Sequence, residues 1–188
     1  DDAFTFTLLG NLSCPAGNAW PGWGSGGATP FSMSVDRSGR AWILYNSGEL
    51  FWVPTNNLDS CERAPWTPGT EDFELFGMGF VTNSAFSSSE SLYIAGGTVG
   101  QLQAHATGRL GLIDPADLSF SVVGSLSNTD RGPELTGTGA AELWGFFPGE
   151  AGSTVGRIDR STGLIEQGWA VPALPGEVRA WAFAHWGG

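Results

Sequence analysis

The chain contains no lysine; its eight basic residues are all arginine, set against 19 acidic ones, for a net charge of −11. Affinity for DNA or RNA rests on neutralising phosphates with basic side chains, so nucleic acid is excluded as a partner, and an anionic membrane surface with it. Charged residues of either sign make up only 14%. No apolar run approaches the ~18 residues that span a bilayer. Histidine occurs twice, at separated positions, and the two cysteines lack CxxC spacing, which speaks against zinc ligation. There is no GxSxG elbow, and no glycine-rich stretch that follows a strand and opens a helix. Helical periodicity is almost absent. No signal peptide is recognisable and the first residue is Asp, so the chain reads as a mature or trimmed product.

What fills these gaps is glycine, proline and aromatic mass: 29 Gly, 11 Pro, 9 Trp, 12 Phe and 2 Tyr. That mixture argues against a helix bundle, and a hydrophobic fraction of 41% argues against disorder. The 188 residues suit a single domain, 1–188. Cys14 and Cys61 sit in polar segments (Leu-Ser-Cys-Pro and Asp-Ser-Cys-Glu), as a disulfide of an exported protein would, extracellular or periplasmic. Two unpaired thiols are the alternative.

Three short segments follow one pattern: Arg40-Ala-Trp-Ile-Leu-Tyr45, Ser91-Leu-Tyr-Ile-Ala95 and Glu142-Leu-Trp-Gly-Phe146. They align Trp42, Tyr93 and Trp144 at a spacing of 51 residues both times. A second set follows and aligns Val53, Ile113 and Ile158, two of its members running into Asp-containing turns at 114–117 and 159–163. Leu118-Ser-Phe-Ser-Val-Val123 reads as a strand beyond these. Before each unit stands a segment alternating small and larger residues (30–35, 75–80 and 133–138), suited to a crowded centre where backbones approach closely.

Each unit thus reads as four short antiparallel strands in ~45–50 residues, the mark of a β-propeller blade. Blades are expected at about 30–68, 75–127 and 133–174. The ends supply a split blade: 3–13 resembles the outermost strand around 118–127, and 179–188 resembles an innermost first strand. Its second and third strands are missing. The expectation is an all-β, incomplete propeller whose edges pair with a second polypeptide, a cleaved C-terminal segment or another copy in a homo-oligomer. The alternative is a self-closed ring with one end misassigned.

The turns Val35-Asp-Arg-Ser-Gly39 and Ile158-Asp-Arg-Ser-Thr-Gly163 resemble those of NHL, YVTN and PQQ-type propeller repeats. With Phe76-Gly-Met-Gly-Phe80, Glu134-Leu-Thr-Gly-Thr-Gly139 and Ala180-Trp-Ala-Phe183, the whole is similar to uncharacterised secreted or lipid-anchored bacterial propeller proteins. The resemblance covers most of the chain and implies a fold, not a function. A propeller of that kind continues where this chain stops, at Gly188.

Candidate site residues are few. Trp20 and Trp23 lie in a glycine-rich connection outside any expected strand, where they would stack on a glycan or anchor a protein if exposed. Folding of that connection over a blade would bury them instead. The repeat alignment puts Phe31, Phe76, Glu134 and Trp181 in one column near the channel mouth, either as a ligand site or as a packed funnel with Glu134 paired to Arg131 or Arg179. Trp181, Phe183 and His185 form the expected assembly edge. His185 is read as structural rather than as a general base, and His105 falls in an inserted polar loop. Calcium is the one cofactor candidate, at Asp114, Asp117, Asp130 and Asp159, whose plainer role is closing turns. Asn11-Leu-Ser13 matches a glycosylation sequon. The leading function is a non-catalytic exported binding or assembly module. A lectin using the loop tryptophans, and a lyase or hydrolase at the channel mouth around Glu134, Trp181 and His185, are the alternatives.

Overall fold

A computed structural model describes residues 7–100, 108–126, 132–149, 152–172 and 182–185. Among them are twelve strands in three four-stranded antiparallel sheets, none closed on itself. The first holds β1 (Pro30–Val35), β2 (Arg40–Tyr45), β3 (Leu50–Pro54) and β4 (Glu62–Arg63). The second holds β5 (Leu75–Thr82), β6 (Glu90–Gly97), β7 (Arg109–Ile113) and β8 (Phe120–Ser125). The third holds β9 (Glu134–Gly137), β10 (Leu143–Phe147), β11 (Ser153–Ile158) and β12 (Ile165–Val171). Strands pair in chain order within each sheet, so consecutive strands are antiparallel neighbours. No described helix is long and apolar enough to cross a membrane.

The repeat seen in the sequence is a repeat of register. Trp42, Tyr93 and Trp144 sit opposite Ser34, Gly79 and Thr136 on the first strands of their sheets. Val53, Ile113 and Ile158 sit opposite Ala41, Leu92 and Leu143. The first β-turn shows why an aspartate stands where it does. Asp36 accepts from Ser38 N–H, from Arg40 Nε at 3.0 Å and from the Trp42 indole Nε1 at 3.0 Å. Gly39, at φ 79°, completes the turn in a conformation that favours glycine. Burial alone would raise the Asp36 pKa, but the bonds from Ser38, Trp42 and Arg40 outweigh it and hold the carboxyl below its ordinary range.

The sheets stack through two apolar cores. Trp42, Leu44 and Leu50 of the first sheet meet Phe76, Met78, Phe80, Leu92 and Ile94 of the second. Tyr93, Ala95 and Leu110 of the second meet Leu135, Leu143, Phe147 and Ile158 of the third. One face of each sheet therefore packs on the opposite face of the sheet that follows. The first strands β1, β5 and β9 also touch in series, β5 lying against both others. That approach requires glycine. A Cβ on Gly77 would overlap the Pro133 carbonyl oxygen, and one on Gly79 would come within 2.9 Å of the Leu135–Thr136 backbone.

The β2–β3 part of the outer face of the first sheet is covered by a disulfide-tied arm, which leaves Met33 and Val35 of β1 exposed. Cys14 and Cys61 are bonded, their Cα atoms 5.2 Å apart. Cys14, Ala16, Ala28, Leu58 and Cys61 pack over Ala41, Ile43, Tyr45, Phe51 and Val53. Such a bond forms and persists under oxidising conditions.

Two terminal segments differ from expectation. Residues 7–13, expected as an outermost strand, carry no strand, and neither do 182–185, expected within an innermost one. A ladder needs a partner on at least one edge, and no described strand pairs with either segment. The remaining parts of the expected end strands, 3–6, 179–181 and 186–188, lie outside the described residues.

Candidate functional site: the inner strands and the open face of the third sheet

Glu134 opens β9 and lies opposite Phe146. Counted from the aligned Trp42, Tyr93 and Trp144, its equivalents are Ser32 (opposite Leu44) and Gly77 (opposite Ala95). Phe31 and Phe76 stand one residue earlier. Side chains alternate faces with period two, so a one-residue offset turns a side chain to the other face. Phe76 accordingly lies buried in the core between the first two sheets, its ring edge-on to Trp66 at 5.7 Å. Phe31 is half-buried against Trp23, with ring centroids 5.3 Å apart. The structure therefore brings Phe31 and Phe76 to one core, Phe31 sitting where the β1–β2 register shifts between Pro30 and Ser32, and places Glu134 apart from them at the Ser32 hydroxyl. Trp181 lies outside the described residues, as do Arg131 and Arg179.

Two polar groups from the other sheets meet Glu134, the Ser32 hydroxyl and the Met78 backbone N–H. The Ser32 hydroxyl donates to Glu134 Oε2 at 3.0 Å across 102 residues of sequence. Burial pushes the Glu134 carboxyl up to about 7; the Ser32 hydroxyl and the Met78 backbone N–H favour the ionised form and offset only part of that. One step along the same strands, Phe80 N–H donates to Ser34 Oγ at 3.1 Å. Side chains of neighbouring sheets thus satisfy backbone donors on the inner edge of β5, a way of closing an edge strand.

The same device recurs at the C-terminal segment. His185 N–H donates to Thr136 Oγ1 at 3.0 Å. Thr136 on β9 is the equivalent of Ser34 on β1, so residue 185 stands toward the third sheet as Phe80 stands toward the first. Phe183 lies against Phe146, ring centroids 6.2 Å apart. Phe183 and His185, expected to form an assembly edge, therefore sit on the face of the third sheet that carries Thr136, Trp144 and Phe146.

That face is otherwise uncovered among the described residues. Trp42 is 0% exposed and Tyr93 7%, because a following sheet packs on each. Trp144 at the equivalent place is half-buried, tilted against Trp169 at 5.3 Å, and Trp169 is 45% exposed. Arg157 lies across from Trp144, bridging Glu142 at 3.4 Å and Glu166 at 3.0 Å. At the opposite end of the stack, Met33 and Val35 of β1 are 56% and 44% exposed.

The other candidates fall elsewhere. Trp20 and Trp23 are half-buried and pack on the core between the first and second sheets. Their segment is a small hairpin bridged at Asn18 and Gly27, pinned where Trp20 N–H donates to Asn46 O and Asn46 Nδ2 donates to Trp23 O, each at 2.8 Å. Asp114, Asp117 and Asp159 each accept a backbone N–H within their own turn, at 2.7–2.8 Å. Among the described residues no three His, Cys, Asp or Glu converge to hold a metal ion. Asp130 and His105 lie outside the described residues. Ser32, Ser34 and Thr136 were missed as site residues. Their signal was the alternation of small and polar residues along the first strands.

No protein-family model matches the chain, and a search of curated proteins found none significantly similar to it.

Proposed function

We propose that the chain is a β-propeller-type module of non-catalytic, binding or assembly character, acting outside the reducing cytosol. Its working surface in this reading is the open face of the third sheet, which receives a further sheet of the same repeat. The carrying observation is the hydrogen bond from His185 N–H to Thr136 Oγ1, which repeats the bond from Phe80 N–H to Ser34 Oγ between the first two sheets. Two further facts support it. First strands touch in series, as blades around an axis do. Glu134 also reaches Ser32 from the third sheet to the first, as first strands gathered around a common axis would allow. The half-exposed Trp144 and the exposed Trp169, Met33 and Val35 are the surfaces a fourth sheet would cover. The Cys14–Cys61 bond favours an extracellular or periplasmic location.

The test is the composition of the native particle, by light scattering with denaturing mass spectrometry. A second polypeptide, or a symmetric multimer, is expected. A stable, folded species of 19.7 kDa alone would refute the reading.

A further inference from the structure

We propose that the partner's contribution is an antiparallel β-strand that pairs with residues 182–185 and places an aromatic side chain opposite Ala184, with apolar residues on either side. This rests on the reading of the third sheet as an accepting surface and adds the register and chemistry of what it accepts.

The register follows from the inner strands. His185 is equivalent to Phe80 through its bond to Thr136, so Ala184 is equivalent to Gly79 and, through the aligned columns, to Ser34 and Thr136. Ser34, Gly79 and Thr136 are small, and each lies opposite the aromatic of its sheet's second strand: Trp42, Tyr93 or Trp144. Ala184 continues that pattern. Ala182 likewise continues Ser32, Gly77 and Glu134, which lie opposite Leu44, Ala95 and Phe146. The three second strands read Ala-Trp-Ile-Leu from 41, Leu-Tyr-Ile-Ala from 92 and Leu-Trp-Gly-Phe from 143. A strand that fits here reads the same way.

Consecutive N–H groups of an extended strand point to opposite edges. Drawn out as an extended strand with the His185 N–H on Thr136, the segment would turn the Ala184 N–H to the open edge, where a partner carbonyl would meet it. A second observation fits the aromatic. In the first interface, Trp42 packs on Phe80 with ring centroids 5.5 Å apart. Val35 is the residue of β1 equivalent to Phe80, and it is exposed together with Met33. An aromatic opposite Ala184 would face these two across the closing interface. Main-chain pairing supplies affinity and alternate side-chain pockets supply selectivity, the mode of β-strand addition.

The probe is a fluorophore-labelled peptide reproducing residues 38–56, which carries the β2–β3 hairpin. It is titrated by anisotropy into the full chain freed of any native partner. Saturable binding is expected, weakened at least tenfold when the peptide's Trp42 is replaced by Ser. Weakening is also expected when the chain carries Ala184→Pro, which removes the open-edge donor at an exposed position. The same variant should lower recovery of the native partner in the light-scattering experiment. Equal binding of the Trp and Ser peptides overturns the aromatic register, and so does a native complex insensitive to Ala184→Pro. In both cases the assembly reading stands if the particle still contains a second chain. A lone 19.7 kDa particle that binds neither peptide overturns both.

Discussion

Glu134 gives the most demanding test of the inner-strand geometry. Its carboxyl titrates at about 7, raised from the ordinary 4.5 by burial among three sheets. The folded protein therefore holds this proton more tightly than the unfolded chain between pH 4.5 and 7, and stability falls as pH rises through that window. A shift of this size corresponds to about 3 kcal/mol. Glu134 is half-buried rather than sealed from water, so solvent screening reduces the expected loss to about 2 kcal/mol. Glu134→Gln keeps an oxygen that accepts from Ser32 and removes the titration. Urea unfolding followed by tryptophan fluorescence, at steps from pH 4.5 to 8, should show the variant gaining on the wild type by about 2 kcal/mol as pH rises. Other carboxylates contribute to the absolute curves: Asp36 and Glu49 are held low, whereas Glu90 is raised mainly by burial. These contributions cancel in the difference between variant and wild type. A difference that stays flat across the window would refute the placement of Glu134 between the first strands.

Trp42 and Trp144 occupy equivalent positions but differ in cover, so Trp42→Ala should cost about 3–5 kcal/mol and Trp144→Ala about 1 kcal/mol in the isolated chain, measured by chemical denaturation. If the two costs become equal in the native particle, the third sheet's face is covered there; if they are equal in the isolated chain, the open-face description is wrong. Gly77→Ala should destabilise by about 2 kcal/mol or more, because its Cβ meets main chain that cannot move aside. The reading of β5 and β9 as a close backbone contact fails if thermal unfolding shows Gly77→Ala to be neutral. Replacing Cys14 and Cys61 by Ser opens a loop of sequence separation 47 and should cost about 4 kcal/mol in the chain-entropy account. Protease digestion should then cut first within the arm over the first sheet.

How much was legible in the sequence divides along a physical line. The spacing of Trp42, Tyr93 and Trp144 marked the second strand of each sheet, and the alternation around it marked the flanking strands, because strand period and turn chemistry are local properties. The Cys14–Cys61 pair was legible from its polar surroundings. The small residues of 75–80 announced a close backbone approach, which Gly77 and Gly79 make against β9. What stayed hidden depended on neighbours distant in sequence. Glu134 shares a column with Ser32 and Gly77 rather than with Phe31 and Phe76, and only the pairing of β1, β5 and β9 with their second strands decides that offset. Trp20 and Trp23 are half-buried because a hairpin with no strand signal folds onto Asn46. The different cover of Trp42 and Trp144 could not be read from their near-identical local contexts. Local pattern determines which residues form a strand and which way each side chain alternates. Whether that face meets another sheet or water is decided by the stacking of whole sheets, where burial of the apolar face supplies the free energy.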